Sequence, residues 1–376
     1  MATYDKLYNR LDEQYNRKQT YQKTGETAEV RLTVKRIRDY GITIGELPAG
    51  KRNAITDVEG VEVGHLTLNG GPVQTGVTAI LPHGADLFRQ KLQAAVHVIN
   101  GFGKSTGIVQ IDELDTLETP IVMTNTLSVG TAYDALIDYM LERNPEIGDT
   151  TGTVNPVVCE CNDGFLNDIR GKHVKKEHVM QALNHTSAEV LEGAVGAGTG
   201  MSCFGFKGGI GTASRKIPIN NNEYVVGVLV LSNFGRMKDF IMDGKKVGRR
   251  ITDASRDTEK GSIIVIMATD IPLSEHQLKR VIKRSAIGIE RTGSFSANGS
   301  GEIAIGFSTA FRIPHKDTDA FVDMKRIHEN KLDLLFRAVA EAAEEAVLNS
   351  LVCADTTVGR NGHRSVSLRE YAHLFA

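Results

Sequence analysis

The chain has 376 residues, and 44 lysines and arginines stand against 46 aspartates and glutamates, which gives a formal charge of −2. A nucleic-acid-binding protein needs clustered positive charge, and the sequence offers no basic stripe interleaved with aromatic residues, so we expect no nucleic-acid partner. No window approaches about 18 consecutive apolar residues, so the sequence predicts no membrane-spanning helix.

The cysteine and glycine contents narrow the class of protein further. Four cysteines are too few for a disulfide scaffold, and residues 1–35 lack the apolar core of a signal peptide. We therefore expect reduced thiols and a cytoplasmic protein. The 38 glycines exceed the usual share of roughly 7%. Because glycine permits tight turns and close backbone approaches, this excess is typical of a built active site.

Residues 1–38 are predicted to form an N-terminal extension. Tyr4, Tyr8, Leu11 and Tyr15 have approximately helical spacing, with charged residues between them. Two interpretations stay open, a helix that docks on a neighbouring subunit and a frayed polar arm. From residue 39 to residue 376 we expect a single catalytic domain.

The first half of this domain consists mainly of short β-branched runs separated by glycines, which is typical of buried strands. The predicted strands are residues 58–63, 77–81, 94–99 and 121–124. A helix is predicted over residues 131–141. Residues 193–211 contain eight glycines and are predicted to form loops and turns.

The second half alternates apolar strands with charged or helical segments. The predicted strands are residues 223–232, 263–268 and 302–308. Between the first two, residues 236–261 hold thirteen charged residues in twenty-six and show no stable periodicity. Ser274 and Gln277 form a capping box at the start of a helix. The apolar face of that helix is Leu278, Val281, Ile282, Ala286 and Ile289. A second, alanine-rich helix is predicted over residues 323–351.

Two familiar catalytic motifs fail in this sequence. The segment Gly103-Lys104-Ser105 resembles the end of a phosphate-binding loop, but that motif requires a glycine where Val98 stands. The segment Gly299-Ser300-Gly301 is one residue too short for the nucleophile elbow of an α/β-hydrolase. Conventional nucleotide-binding and serine-triad interpretations are therefore excluded.

Metal binding is also disfavoured. His173, His178 and His185 lie in a charged stretch that is predicted to be helical, where a solvated face is a better interpretation than a metal site. Cys159 and Cys161 lack the second pair of ligands that a zinc site needs. We expect neither a metal nor another cofactor.

The junction between Gly261 and Ser262 remains, where a polar segment meets the start of an apolar strand. The Ser262 hydroxyl is held next to the preceding carbonyl, so an intramolecular attack is chemically accessible. Gly261 has no Cβ to block it. Hydrolysis of the resulting ester would leave Ser262 as a new chain terminus, whose α-amine, with a pKa of roughly 7.7–8.0, can serve as the base for its own hydroxyl. An ordinary turn is the alternative interpretation.

Four other residues could support such a nucleophile. Ser300 and Glu302 are two positions apart at the start of a strand, so their side chains point to the same face. Asn233 ends an apolar strand, and its amide could donate to an oxyanion. Glu160 follows an apolar run and could pair with the cationic amine of a substrate. Each of these residues, taken alone, is also typical of a turn or a solvated surface.

Several segments of the chain together resemble the DmpA-type L-aminopeptidase/D-esterase family, which includes the β-peptidyl aminopeptidases. The resemblance runs from about residue 53 to about residue 351. The segments that carry it are residues 53–58 (NAITDV), 61–65 (VEVGH), 75–82 (TGVTAILP), 95–107 (AVHVINGFGKSTG), 119–130 (TPIVMTNTLSVG), 261–262 (GS) and 298–302 (NGSGE).

The resemblance implies an α/β fold, an αββα sandwich similar to the N-terminal-nucleophile hydrolases but with different strand connectivity. It implies a self-processing serine aminopeptidase that cuts itself before Ser262 into fragments of 261 and 115 residues. Such an enzyme uses no metal and hydrolyses short peptides, amides or esters with a free amine. Processed αβ heterodimers would then assemble into a homo-oligomer, a tetramer being one option.

The resemblance also implies a role for each matching residue. Ser262 corresponds to the nucleophile, Ser300 and Glu302 to the residues that support its amine, and Asn233 to the oxyanion donor. Glu160 corresponds to the carboxylate that holds a substrate's amino group. Asn162, a substrate-binding candidate, stands where some relatives have a tyrosine, so assistance from a tyrosine is not expected here.

Three alternatives stay open at this point. The first is an acyltransferase similar to ornithine acetyltransferase, in which the nucleophile is normally threonine. The second is a hydrolase of non-peptide oligoamides. The third is a scaffold that has kept the fold and lost the chemistry, and the presence of Ser262, Ser300 and Glu302 argues against it.

Overall fold

The computed structural model describes residues 34–251, 261–317 and 319–375. Contacts divide the chain into two compact units, Met1–Val34 and Lys35–Ala376. The helix expected around Tyr4 and Tyr15 lies outside the described residues. Residues 35–38, which the sequence analysis placed in the extension, belong to the larger unit, where Ile37 is fully buried.

Fifteen strands lie in the described part of the chain. They are β1 (Glu62–Gly70), β2 (Val73–Leu81), β3 (Gln90–Gly101), β4 (Thr116–Leu117), β5 (Ile121–Asn125), β6 (Val157–Cys161), β7 (Thr186–Ser187), β8 (Ser202–Cys203), β9 (Phe206–Lys207), β10 (Gly209–Ile219), β11 (Asn222–Asn233), β12 (Ser262–Thr269), β13 (Gly301–Pro314), β14 (Thr357–Val358) and β15 (Arg364–Ser365).

Two large sheets are built from these strands. The first has five strands in the order β6-β5-β2-β1-β7, and the second has six in the order β10-β11-β12-β13-β3-β4. The pairs β5–β6 and β12–β13 are parallel. The other pairs within these two sheets are antiparallel.

Six α-helices lie in the described residues, and five of them cover the outer faces of the sheets. They are α1 (Ile108–Leu114), α2 (Val129–Arg143), α3 (Lys176–Asn184), α4 (Glu275–Ile282), α5 (Ser285–Arg291) and α6 (Leu332–Val352). Apolar residues of α2 and α3 pack on the first sheet, and those of α4, α5 and α6 pack on the second. A third apolar cluster fills the space between the sheets. The layers are therefore α, β, β and α, as predicted.

Strand β12 shows why its sequence is apolar without interruption. Successive side chains of a strand point to opposite faces. Ile264 and Ile266 point into the layer between the sheets, whereas Ile263 and Val265 point toward the helices. Every residue of β12 is buried, so both faces of the strand require apolar side chains.

The elements differ from the predictions at several boundaries. The strand expected over residues 58–63 begins only at Glu62, because residues 55–57 form a 3₁₀ helix that the Asp57 carboxylate caps by accepting from Ala54 N. The prediction of loops and turns over residues 193–211 was wrong for β8, β9 and the start of β10.

Two helix predictions also need correction. Two helices, rather than one, follow Ser274. Helix α4 ends at Ile282, and the hydroxyl of Ser285, the first residue of α5, donates to the Ile282 carbonyl oxygen. The last helix begins at Leu332 rather than at residue 323. The backbone before it is held by tertiary hydrogen bonds, since Ile327 N donates to Pro272 O at 2.9 Å and Gln277 Nε2 donates to Ile327 O at 2.9 Å. In the described residues no helix is both long and apolar enough to cross a bilayer.

Candidate active site

Ser262 lies where three strands of the second sheet begin or end. It is the first residue of β12 and pairs with Asn233, the last residue of β11, on one side. On the other side it pairs with Gly301, the first residue of β13. Ser262 is 7% exposed and Asn233 is 6% exposed, so both are largely enclosed but not sealed.

Gly261 occupies a position where no other residue fits. A Cβ atom there would lie 2.0 Å from the carbonyl oxygen of Asn233 and 2.5 Å from the Cα of Phe234. Both contacts are with backbone, which cannot move aside without breaking the pairing of β11. The carbonyl oxygen of Gly261 accepts a hydrogen bond of 3.3 Å from Gly301 N. The peptide bond before Ser262 is therefore held between β11 and β13.

The hydroxyl and carboxylate predicted to point together do meet. Ser300 Oγ donates to Glu302 Oε1 at 2.8 Å, and Glu302 is fully buried. The other carboxylate oxygen accepts from Ser296 Oγ at 2.6 Å. Ser296 has a φ of +50°, a conformation that non-glycine residues seldom adopt. The sequence analysis missed Ser296, and the only signal was the serine-rich segment in which it lies.

The Asn233 amide is fixed on both sides. Its Oδ1 accepts from Ser202 N at 2.9 Å, and its Nδ2 donates to Asn162 O at 3.0 Å. A side-chain amide has two N–H donors, so one remains to be offered to a ligand. The side-chain oxygen of Asn162 accepts from Gly164 N within its own turn, and the hydrogen bond from Asn233 goes to the backbone oxygen of Asn162.

Glu160 lies in β6 of the first sheet, across the site from the second sheet. Its Oε1 accepts from Lys104 N at 2.8 Å, and its Oε2 accepts from the Thr126 hydroxyl. It is 3% exposed. A methyl group at Gly103 would lie 3.6 Å from Glu160 Oε1 and 3.8 Å from Gly301 Cα, so the backbone at Gly103 lies between the carboxylate and the start of β13.

The surroundings of Glu160 exclude a cysteine nucleophile. Cys159 and Cys161 flank it in β6 and are fully buried. Burial raises the pKa of the Cys159 thiol to about 12 and raises that of Cys161 as well. A thiol in this state is not nucleophilic at neutral pH.

Two further buried groups lie behind the Asn233 amide. Asp163 follows Asn162 directly, and burial raises the pKa of its carboxyl to about 7. Burial lowers the pKa of the Lys207 ammonium to about 7. The histidines that the sequence analysis set aside stay apart from this site, and His173 pairs with Asp168. Among residues 34–251, 261–317 and 319–375, no three His, Cys, Asp or Glu side chains form a group that could hold a metal ion.

The fold and the site together define a class of protein. The parts are a serine at the start of a buried strand, an amide donor beside it, a hydroxyl–carboxylate pair and a second carboxylate across the site. An arrangement of this kind can form an acyl-enzyme on serine. A model described as peptidase family S58 matches residues 53–365. The chain belongs to peptidase family S58.

Similar proteins agree with this assignment. The β-peptidyl aminopeptidase BapA of Sphingosinicella microcystinivorans is 41% identical over 354 residues, covering 87% of this chain and 88% of that protein. The crystal structure of the PH0078 protein from Pyrococcus horikoshii OT3 has a TM-score of 0.87 at 50% identity, covering 90% of this chain and 98% of that one.

A third relative bears on the fold and the chemistry. The L-aminopeptidase D-Ala-esterase/amidase of Ochrobactrum anthropi has a TM-score of 0.83 at 36% identity, covering 90% of this chain and 99% of that one. It is described as a prototype for the serine aminopeptidases and as a new variant of the Ntn hydrolase fold. The resemblance found in the sequence is confirmed. The chain is a serine aminopeptidase with peptide-type substrates, which favours the hydrolase prediction over the acyltransferase and non-catalytic alternatives.

Proposed function

We propose that this aminopeptidase cuts its own chain between Gly261 and Ser262 and then uses the new amino end of Ser262 in catalysis. The observation that carries the proposal is the convergence at Ser262. The Asn233 amide lies on one side of it, the strand that carries Glu302 lies on the other, and Gly261 stands where no side chain fits.

The self-cleavage step needs only groups of this chain and water. Ser262 Oγ attacks the carbonyl carbon of Gly261, its proton goes to the peptide nitrogen, and the C–N bond breaks to leave an ester. The Gly301 N–H, which already donates to the Gly261 oxygen at 3.3 Å, stabilises the oxyanion. Water then hydrolyses the ester, leaving a carboxylate on Gly261 and a free amine on Ser262.

Each later turnover uses that amine as the base. The amine accepts the proton of the Ser262 hydroxyl as Oγ attacks the substrate's acyl carbon, and it passes the proton to the leaving group. The free N–H of Asn233 stabilises the oxyanion. The Ser300–Glu302 pair orients the amine, since Glu302 is buried and held by two hydroxyls. Water completes the cycle by hydrolysing the acyl-enzyme.

We propose that the substrates are short peptides, amides or esters with a free amino group. Glu160 would receive the substrate's ammonium, because a backbone N–H and a hydroxyl hold its carboxylate, and it forms no ion pair within the described part of the chain. The similar proteins act on β-peptidyl substrates and on L-amino and D-Ala derivatives. This range supports the same chemical class here.

The two fragments would stay together after the cut. Strands β12 and β13 belong to residues 262–376, and they lie between β11 and β3 of residues 1–261 in one sheet. Separation would expose both edges of this buried pair. We propose that the resulting αβ heterodimers form a homo-oligomer in the cytoplasm. The four cysteines are buried and form no disulfides, which supports the proposed location in the cytoplasm.

A substrate panel tests the proposal. Aminoacyl p-nitroanilides built on α- and β-amino acids are compared with their N-acetylated forms, using the wild-type protein and Ser262→Ala. We expect hydrolysis only of substrates with a free amine and only by the wild type. Rapid hydrolysis of the acetylated substrates would remove Glu160 from its proposed role, and an active Ser262→Ala protein would refute the nucleophile. An amine acceptor added to the assay separates hydrolysis from acyl transfer.

A further inference from the structure

Two backbone groups orient the Asn233 amide, the Asn162 oxygen on its Nδ2 side and a peptide N–H on its Oδ1 side. Its Oδ1 accepts from the N–H of the peptide that joins Met201 to Ser202, at 2.9 Å. Without that N–H only the hydrogen bond to Asn162 O would hold the amide, and the direction of its free N–H would be less closely fixed. Since a peptide group is planar and its C=O and N–H point in opposite directions, whatever fixes the Met201 oxygen also fixes the Ser202 N–H.

The Met201 oxygen is held by a buried lysine. Lys207 is fully buried. Its Nζ donates to Met201 O at 2.7 Å, to Gly198 O at 2.9 Å and to Gly208 O at 2.6 Å. The Met201 oxygen also accepts from Gly208 N at 3.1 Å. The lysine is therefore not the only partner of this carbonyl, but it is the one that carries charge.

We propose that Lys207 is a positioning residue for the reaction, one that orients and polarises the oxyanion donor Asn233 through the Met201–Ser202 peptide. The hydrogen bonds run from Lys207 Nζ to the Met201 oxygen, from Ser202 N to Asn233 Oδ1, and from the free N–H of Asn233 to the oxyanion. Each bond in such a chain strengthens the next, and the effect begins here with a charged donor. The proposal rests on the proposed function, because it requires Asn233 to be the oxyanion donor.

The protonation state of Lys207 fits this role. Three carbonyl acceptors match the three N–H groups of an ammonium, whereas a neutral amine has only two. Burial lowers the pKa of Lys207 to about 7, against the raising effects of Cys203 and Asp163, so the ammonium is the main form below about pH 7. The buried ammonium also serves the fold, because it donates to three backbone carbonyl oxygens that a methionine would leave without this donor. A test of its catalytic role therefore needs readouts that a purely structural loss would not change.

Residues 202–207 form a short hairpin that is hydrogen-bonded to the end of β11. Ser202 and Lys207 pair directly in this hairpin of β8 and β9. Its two-residue loop, Phe204 and Gly205, has φ values of +49° and +75°. Positive φ at both positions matches a type I′ turn, although a phenylalanine is rare there. Phe204 N also donates to Phe234 O at 2.6 Å, next to Asn233. The hairpin is thus fastened to the end of β11 at two points.

The substitution Lys207→Met tests the proposal in the full-length enzyme. The cut before Ser262 is first verified by intact mass, and rates are normalised to titrated active sites. We expect kcat to fall roughly tenfold with KM within about twofold. The inhibition constant of an aminoalkylboronic acid, which forms a tetrahedral adduct on serine, should rise by the factor that kcat/KM loses. Inhibition by the product amino acid should not change.

A matched control is the same substitution at Lys91. This lysine is partly buried beside Glu118 and pairs with Ile313 at the far end of β3 and β13. Lys91→Met should leave kcat and the boronate constant unchanged. If Lys207→Met does not fold, Lys207→Gln provides the second variant. It keeps donors without charge, and we expect a loss of about threefold in kcat and in boronate affinity together.

Several results would overturn the inference. One is a Lys207→Met protein with an unchanged kcat, or one whose kcat/KM falls only because KM rises. Another is a lower kcat with an unchanged inhibition constant for the boronic acid. The last is an equal fall of kcat in Lys91→Met. A wild-type protein that is uncut and inactive would instead refute the proposed function itself. A cut, active wild type with an unaffected Lys207 variant would refute only the role of Lys207.

Discussion

Two of the regions where the described residues bury charge treat that charge differently. Between β10 and α6, Arg215 is fully buried and pairs with Glu341 at 3.1 Å and with Glu345 at 2.8 Å. Arg38 adds a second cation on Glu345 at 2.6 Å. Around Ser262, by contrast, Glu302 and Glu160 are held by hydroxyls and a backbone N–H, and Lys207 is held by carbonyls.

The difference fits a structural role for the first region and the proposed catalytic role for the second. Burial alone would raise the pKa of Glu345, but the hydrogen bond from Arg38 and the charge of Arg215 hold it below its usual value. Opposite charges cancel there, which stabilises the folded chain and leaves no group to react. Charges held by neutral dipoles keep their field and their capacity to pair with a substrate or a transition state.

The largest difference between the two regions should appear with Glu302→Gln. The change replaces one of the two oxygens that accept from the serine hydroxyls by an NH2 group, and it removes the charge proposed to support the Ser262 amine. We expect kcat to fall roughly 1,000-fold while the melting temperature changes by only a few degrees. Glu341→Gln in the paired region is the control and should show the reverse pattern. A Glu302 variant that melts early and keeps its kcat would contradict the comparison.

Arg215→Met should destabilise the fold without touching the chemistry. It leaves the buried carboxylates of Glu341 and Glu345 without their shared partner, which costs about 3–5 kcal/mol of unfolding free energy. Urea unfolding measures this loss. The kcat per titrated active site should stay within about threefold of the wild type. A stable Arg215→Met protein with impaired kcat would place this network in the catalytic machinery.

Glu160→Gln tests whether the carboxylate near Ser262 binds the amino group of the substrate. The variant keeps its size and can still accept from Lys104 N, but it loses the charge that pairs with the substrate's ammonium. We expect KM to rise about 10–100-fold for substrates with a free amine, with a smaller change in kcat. A substrate series with and without the amine makes the test specific. The same loss for both types of substrate would contradict the proposed role.

The smallest effect concerns Asp163, whose pKa is raised from 3.8 to about 7 by burial. Between these values the folded state holds a proton that the unfolded chain releases, so stability falls as pH rises from about 4 to about 7 and is level above. Asp163→Asn should therefore raise the free energy of unfolding at pH 8 and leave it almost unchanged at pH 4. Urea titrations at both pH values measure this, and an equal effect at both would contradict the assignment.

Much of the site could be predicted because it lies at the ends of apolar strands. The runs before Asn233 and after Ser262 mark those ends in the sequence, and the spacing of Ser300 and Glu302 places both side chains on one face. The family resemblance supplied the roles. Strand pairing then brings Asn233 and Gly301 to either side of Ser262, which follows from topology rather than from any local pattern.

The supporting contacts could not be predicted, because they join segments far apart in the chain. Ser202 and Lys207 lie in a glycine-rich stretch that reads as loop, and the hairpin there depends on a phenylalanine with positive φ, fixed by its contact with Phe234. Thr126 contacts Glu160 from another strand end. Tertiary packing determines these contacts. At Phe204 the local conformational preference even opposes the positive φ that the hairpin requires.

The most direct test of the account is the mass of the purified, active protein. Denaturing mass spectrometry should find two chains that end at Gly261 and begin at Ser262, and loss of the intact chain should parallel the gain of activity. Ser262→Ala should remain one chain. Fully active protein that consists of a single uncut chain would contradict the account, because Ser262 would then have no free amine to serve as the base.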